Sequence, residues 1–87
     1  MSVLRATVFG HVQGVGYRWY VRGRARRFEL TGRATNRPDG AVEVEAEGDR
    51  ASLDGFLAAL WDGPGRVDRI EHLVTEDTLG TDDFTME

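Results

Sequence analysis

The sequence predicts an α+β sandwich of βαββαβ order, an antiparallel sheet with two helices on one face, and three observations carry the prediction. Two segments space their apolar residues as a helix does, other segments alternate apolar and polar residues, and a Pro-Asp-Gly turn joins two of the alternating segments. At 87 residues, 40% hydrophobic and 30% charged, the chain has the size and composition of one folded domain, taken as residues 1–87.

The elements follow in chain order. From Val3 to Phe9, Leu4, Ala6 and Val8 alternate with Arg5 and Thr7, as a strand with one buried face does. From Tyr17 to Phe28, the positions Tyr17, Val21, Ala25 and Phe28 fall on one helical face, with the arginines largely elsewhere. Thr31 to Asn36 and Ala41 to Glu47 flank Arg37-Pro38-Asp39-Gly40, where Pro38 presets a turn dihedral and Gly40 tolerates positive φ, so a hairpin is expected. Its second strand puts Val42, Val44 and Ala46 inward and Glu43, Glu45 and Glu47 outward. Asp49 is the expected N-cap of a second helix, with Leu53, Phe56, Leu57 and Leu60 on one face and Gly63-Pro64 beyond its end. Val67 to Val74 alternates imperfectly and reads as a strand, and a short edge strand is expected around Phe84 and Met86. This order is the split βαβ, ferredoxin-like arrangement, which many unrelated functions use.

Composition narrows the chemistry. There is no cysteine, so disulfides and thiolate catalysis are excluded. No apolar run is long enough to span a membrane, and the first residues lack the pattern of a signal peptide, so a cytoplasmic location is expected. The net charge is −4, yet all 11 basic residues are arginine. Five of them, Arg18, Arg22, Arg24, Arg26 and Arg27, cluster on the first helix, whereas Glu71 to Glu87 carries six carboxylates and no arginine. An acidic protein with a local anion-binding patch is therefore expected.

The candidate for that patch is Gly10-His-Val-Gln-Gly-Val-Gly-Tyr-Arg18, between the first strand and the first helix. Gly10, Gly14 and Gly16 permit tight turning and close approach to the backbone, the helix N-terminus favours an anion, and the guanidinium of Arg18 can hold two oxygens of one oxyanion. The same glycines also suit a plain strand-to-helix connection, and Asn36 also suits a turn-side asparagine bonded to its own backbone. His11 beside the loop reads as a solvent-facing rim residue. The two histidines, His11 and His72, are too distant in sequence to suggest a metal motif, so no metal and no cofactor are expected.

The run Val12-Gln-Gly-Val-Gly-Tyr-Arg18, the segment Leu30-Thr-Gly-Arg-Ala-Thr-Asn-Arg-Pro-Asp-Gly-Ala-Val-Glu-Val44, and a second helix ending in Gly-Pro resemble the acylphosphatase family across nearly the whole chain. The resemblance implies hydrolysis of small acyl phosphates to carboxylate and inorganic phosphate. It implies that Arg18 binds the phosphate, that Asn36 positions the attacking water, and that the backbone of Gln13, Gly14, Val15, Gly16, Tyr17 and Arg18 forms the phosphate cradle. The expected partners are a small acyl phosphate and, as competing anions, inorganic phosphate or sulfate. No nucleic acid and no membrane are expected, and the chain is expected to be a monomer.

Three positions depart from the family's habits. Glu29 stands where glycine often closes the first helix, and Arg33 and Thr35 replace an aromatic and a basic or amide residue before Asn36. These affect helix exit and the surface near Asn36 rather than reaction type. Two other functions remain open to the fold. An RNA-binding module would need stacking aromatics on the open sheet face, where Glu43, Glu45 and Glu47 are expected instead. A non-catalytic anion-binding or accessory domain, as at the N-terminus of hydrogenase-maturation carbamoyltransferases, is distinguished by turnover of acetyl phosphate.

Overall fold

The structure, a computed structural model, describes residues 1–87. Its elements are β1 (Ser2–His11), α1 (Tyr17–Arg27), β2 (Thr31–Asn36), β3 (Val42–Gly48), α2 (Arg50–Leu60), β4 (Arg66–Glu76) and β5 (Phe84–Met86). The five strands form one sheet in the order β4-β1-β3-β2-β5. The first four pair antiparallel, as the alternation and the hairpin turn require. The short β5 departs from the all-antiparallel expectation by pairing parallel to β2, with Ala34 opposite Met86. It lies parallel because the chain first crosses the sheet from the far edge.

Both helices cover one face. Leu4, Ala6 and Val8 of β1, Ala34 of β2, and Val42, Val44 and Ala46 of β3 meet Tyr17, Val21 and Ala25 of α1 and Leu53, Phe56 and Leu60 of α2 in the core. Phe84 completes the core from the edge, edge-on to Phe56 with ring centroids 6.2 Å apart. The cap of α2 forms as its sequence dictates, with the Asp49 carboxylate accepting the Ser52 N–H at 2.9 Å. At the hairpin turn, Arg37 N–H donates to Ala41 O at 2.8 Å, and Asp39 Oδ1 accepts the Ala41 N–H at 3.1 Å.

The open face is more crowded than alternation alone implies. Glu43 and Glu45 point outward, but Glu47 is buried beneath the returning chain, where its Oε1 accepts the Leu79 N–H at 2.8 Å. The chain between β4 and β5 folds over that end of the sheet, an event that no local pattern around Glu47 announces. The remaining carboxylates of the face are met by arginine: Glu45 pairs with Arg5 at 3.2 Å and Arg33 at 3.6 Å, and Glu43 with Arg37 at 3.8 Å. Arg33, one of the departures noted above, is thus turned away from Asn36 and toward a carboxylate on the sheet.

Candidate active site

The chain leaves β1 through a bulge, where the register with β4 shifts between Phe9 and Gly10. Gly10 belongs to this bulge and not to the loop that follows. Its φ is 144°, and a Cβ there would lie 2.0 Å from the Arg66 carbonyl oxygen, so glycine is demanded by strand packing. Gly10 is therefore removed from the expected cradle.

Gly14 and Gly16 are a different case. Their φ values are 74° and 83°, in the left-handed region, and a Cβ at either would meet no atom within 4 Å. They are needed for backbone conformation, and the space above them is open. Gly16 occupies the N-cap position of α1 with no side-chain hydrogen bond to the first turn. The N–H groups of Gln13, Gly14, Val15 and Gly16 donate to no protein acceptor, and those of Tyr17, Arg18 and Trp19 at the start of α1 have none by helix geometry. The result is a set of unspent donors at the positive end of a helix dipole.

What holds this loop is side-chain chemistry from both flanks. Gln13 Nε2 donates to the carbonyl oxygens of Arg37 at 2.7 Å and Ala41 at 3.0 Å. Its side chain ties the loop to the hairpin turn, and so brings Asn36, the residue before Arg37, to the loop's side. Gln13 can offer an anion only its backbone. Tyr17 is likewise committed: its ring is in the core, its hydroxyl donates to Leu60 O at 2.6 Å, and burial pushes the phenol pKa far up. Tyr20 donates to Ala59 O at 2.7 Å. These two tyrosines satisfy end carbonyls of α2 and fix the start of α1 against it.

Gly14, Gly16, Tyr17, Arg18 and Asn36 of the expected site converge, whereas Gln13 and Val15 are not in the cleft lining and Val15 packs against the core. A cleft of about 150 Å³ is lined by Val12, Gly14, Gly16, Tyr17, Arg18, Trp19, Asn36 and Met86. Arg18 and Asn36, 18 positions apart, thus face one space together with two of the loop glycines. Asn36 is exposed at the end of β2, and no hydrogen bond occupies its side chain, which sets aside the self-bonded turn role. Arg18 pairs with no aspartate or glutamate side chain, and one of its nitrogens donates to the Glu87 backbone oxygen, which orients the guanidinium. His11 is exposed and lies outside the cleft lining. No three His, Asp or Glu side chains gather as metal ligands would.

Three lining residues escaped the reading of the sequence. Trp19 was legible in principle, being a large aromatic directly after Arg18 and off the buried face of α1. Met86 was not, because its place two residues along the sheet from Asn36 follows from the parallel register of β5. Val12 is buried at the end of β1 and gave no separate signal.

A family model described as acylphosphatase matches residues 4–86. An acylphosphatase of Thermobifida fusca is 56% identical over 69 residues, covering 77% of this chain and 76% of that protein. The crystal structure of acylphosphatase from Bacillus subtilis superposes with a TM-score of 0.97 at 35% identity, covering 100% of this chain and 99% of that one. Full-length HypF, in a phosphate- and nucleotide-bound crystal form, matches with a TM-score of 0.86 at 26% identity, and this chain covers 12% of it.

Proposed function

This chain belongs to the acylphosphatase family of acyl phosphate hydrolases, and we propose that its reaction is in-line attack of a water held by Asn36 on a phosphoryl group held by Arg18 and the 13–18 backbone. The observation that carries the reading is the single cleft in which Arg18, Asn36, Gly14 and Gly16 meet. Arg18 pairs with no aspartate or glutamate side chain, gives one nitrogen to the Glu87 backbone oxygen, and can place further N–H groups on phosphoryl oxygens. The unspent amide N–H groups of the loop donate to the same phosphoryl group from the other side.

The chemistry asks little of general acids. The water oxygen bonds to phosphorus as the bond from phosphorus to the acyl oxygen breaks, and the electron pair leaves with the carboxylate. A carboxylate whose conjugate acid has a pKa near ~4 departs without protonation. The water's proton passes to a phosphoryl oxygen of the substrate. Catalysis then reduces to placing the water in line and stabilising the equatorial oxygens. Positive charge from Arg18 and the loop dipoles makes the reaction metal-independent in this reading, and inorganic phosphate and sulfate compete for the cradle. The substrate is a small acyl phosphate, and the chain acts as a cytoplasmic monomer without nucleic acid or membrane. No helix is long and apolar enough to cross a membrane.

The test is phosphate release from an aryl acyl phosphate in chelator-treated buffer. Arg18→Ala should lower the rate by on the order of 100- to 1000-fold, the usual cost of losing an oxyanion donor. An Arg18→Ala variant that keeps its activity would sink the mechanism. Asn36→Ala should lower kcat while leaving the inhibition constant of inorganic phosphate nearly unchanged, since the asparagine addresses the water and not the anion. Equal loss of phosphate affinity would contradict that role.

A further inference from the structure

Seven of the eleven arginines, Arg5, Arg26, Arg33, Arg37, Arg50, Arg66 and Arg69, pair with a carboxylate side chain. The four that do not, Arg18, Arg22, Arg24 and Arg27, all lie on α1. Arg18 belongs to the cleft described above. Arg22 lies over the Trp19 ring at 4.9 Å and Arg24 over the Tyr20 ring at 5.4 Å. In a protein with 15 carboxylates and net charge −4, a stripe of arginines without carboxylate side-chain pairs is a local reversal of the surface field.

The stripe has a shape. A second concavity, of about 320 Å³, is lined by Trp19, Tyr20, Gly23, Arg24 and Arg27. Trp19 lines this groove and the catalytic cleft alike, so the two adjoin at its ring, which is 65% exposed. Gly23 forms the floor. It sits in the middle of a helix, where glycine costs about 1 kcal/mol relative to alanine, and packing does not require it, because a Cβ there would meet nothing within 4 Å. The missing side chain instead leaves the groove open. Trp19, Gly23 and Arg27 follow one another at i, i+4 and i+8, a run of roughly 12 Å along the helix.

The geometry points to this groove as the subsite for the acyl part of the substrate, selecting acyl phosphates whose acyl chain ends in a second anion, a carboxylate or a phosphate, held by Arg24 and Arg27. This rests on the hydrolytic reading above. With the phosphoryl group in the cradle, an acyl chain laid across Trp19 carries its far end toward guanidinium groups with no carboxylate partner. A neutral acyl tail of equal length gains the contact with the ring but not the two charges.

The experiment compares kcat/KM for the monophosphoryl anhydrides of four- to six-carbon dicarboxylic acids with those of the monocarboxylic acids of equal length, with acetyl phosphate as a reference. The wild type should favour the best diacid by on the order of tenfold, as one charge-assisted contact produces. Raising the salt concentration should erode the preference. In Arg24→Gln/Arg27→Gln the ratio should fall to near one with acetyl phosphate turnover unchanged. Gly23→Gln, which fills the floor, should also remove the preference while raising the melting temperature. A ratio near one in the wild type, or a ratio that survives both variants, overturns the groove alone so long as acetyl phosphate is hydrolysed. A groove that binds an oligonucleotide and shows no diacid preference also overturns it. No turnover of any acyl phosphate by the wild type overturns the hydrolytic reading and the subsite with it.

Discussion

The two ends of α1 meet the same backbone demand with different residues. At the N-terminal end Gly16 takes φ 83°, and at the C-terminal end Glu29 takes φ 59°, the one non-glycine residue with positive φ in the chain. The C-terminal turn is a Schellman closure: Leu30 N–H donates to Ala25 O at 2.8 Å and Glu29 N–H to Arg26 O at 3.1 Å. Glycine is the usual residue at that position, and a side chain there costs about 1–2 kcal/mol of steric strain, partly offset because glycine loses more chain entropy on folding. The protein tolerates that strain where only a helix ends. It uses glycine at 14 and 16, where the backbone must turn and also leave its N–H groups open to a ligand. The difference teaches that one kind of glycine preference is about stability and the other about access.

Gly16→Ala tests the access side and carries the larger expected effect. Alanine at φ 83° is strained by about 1–2 kcal/mol, and its methyl group stands in space that is empty in this structure. Activity should fall by between about tenfold and a hundredfold as the cradle shifts or closes, and the melting temperature should fall with it. If Gly16→Ala lost stability alone and kept its kcat/KM, the two ends of the helix would be equivalent and the comparison would fail.

Glu29→Gly tests the stability side. Relief of the left-handed strain, less the added chain entropy, should stabilise the fold by about 0.5–1 kcal/mol, read as a higher midpoint in urea with an unchanged slope. Activity should not move, since Glu29 lies at the far end of α1 from the cleft. A change in kcat/KM on this substitution would mean that the helix exit reaches the site.

Much of this was legible in the sequence, and the limits have physical causes. Periodicity located both helices, β1, β3 and, less cleanly, β4 because each has one face in a single core, and the turn beside it located β2. The Arg18 and Asn36 pairing was legible only through family resemblance, since no local pattern says that Gln13 will bind the hairpin turn and draw Asn36 alongside. Gly10 looked like its neighbours in the loop, and only the bulge against β4 separates it from them. Glu47 alternates correctly and is buried all the same, because residues some thirty positions later cover it. Gly23 looked unremarkable in an arginine-rich helix until its surroundings proved empty.

The smallest expected effect concerns how the C-terminal half of α1 is fastened. Arg26 pairs with Asp83 at 3.0 Å, and Asp83 also accepts the Phe84 N–H at 2.7 Å, so this contact ties α1 to the start of β5. The Phe84 N–H and then the Arg26 guanidinium hold the Asp83 carboxyl below its ordinary value of 3.8. A carboxyl depressed in the folded state contributes stability that is present above its unfolded pKa and is lost as pH falls through the folded one. The difference in melting temperature between wild type and Asp83→Asn should therefore be present near pH 6 and shrink once pH drops below about 4. Both groups are exposed, so solvent screens the pair and the shift should be slight. A difference that stays constant across that range would mean that Asp83 acts through shape and not charge, leaving α1 fastened at that end by the Schellman turn and its core face alone.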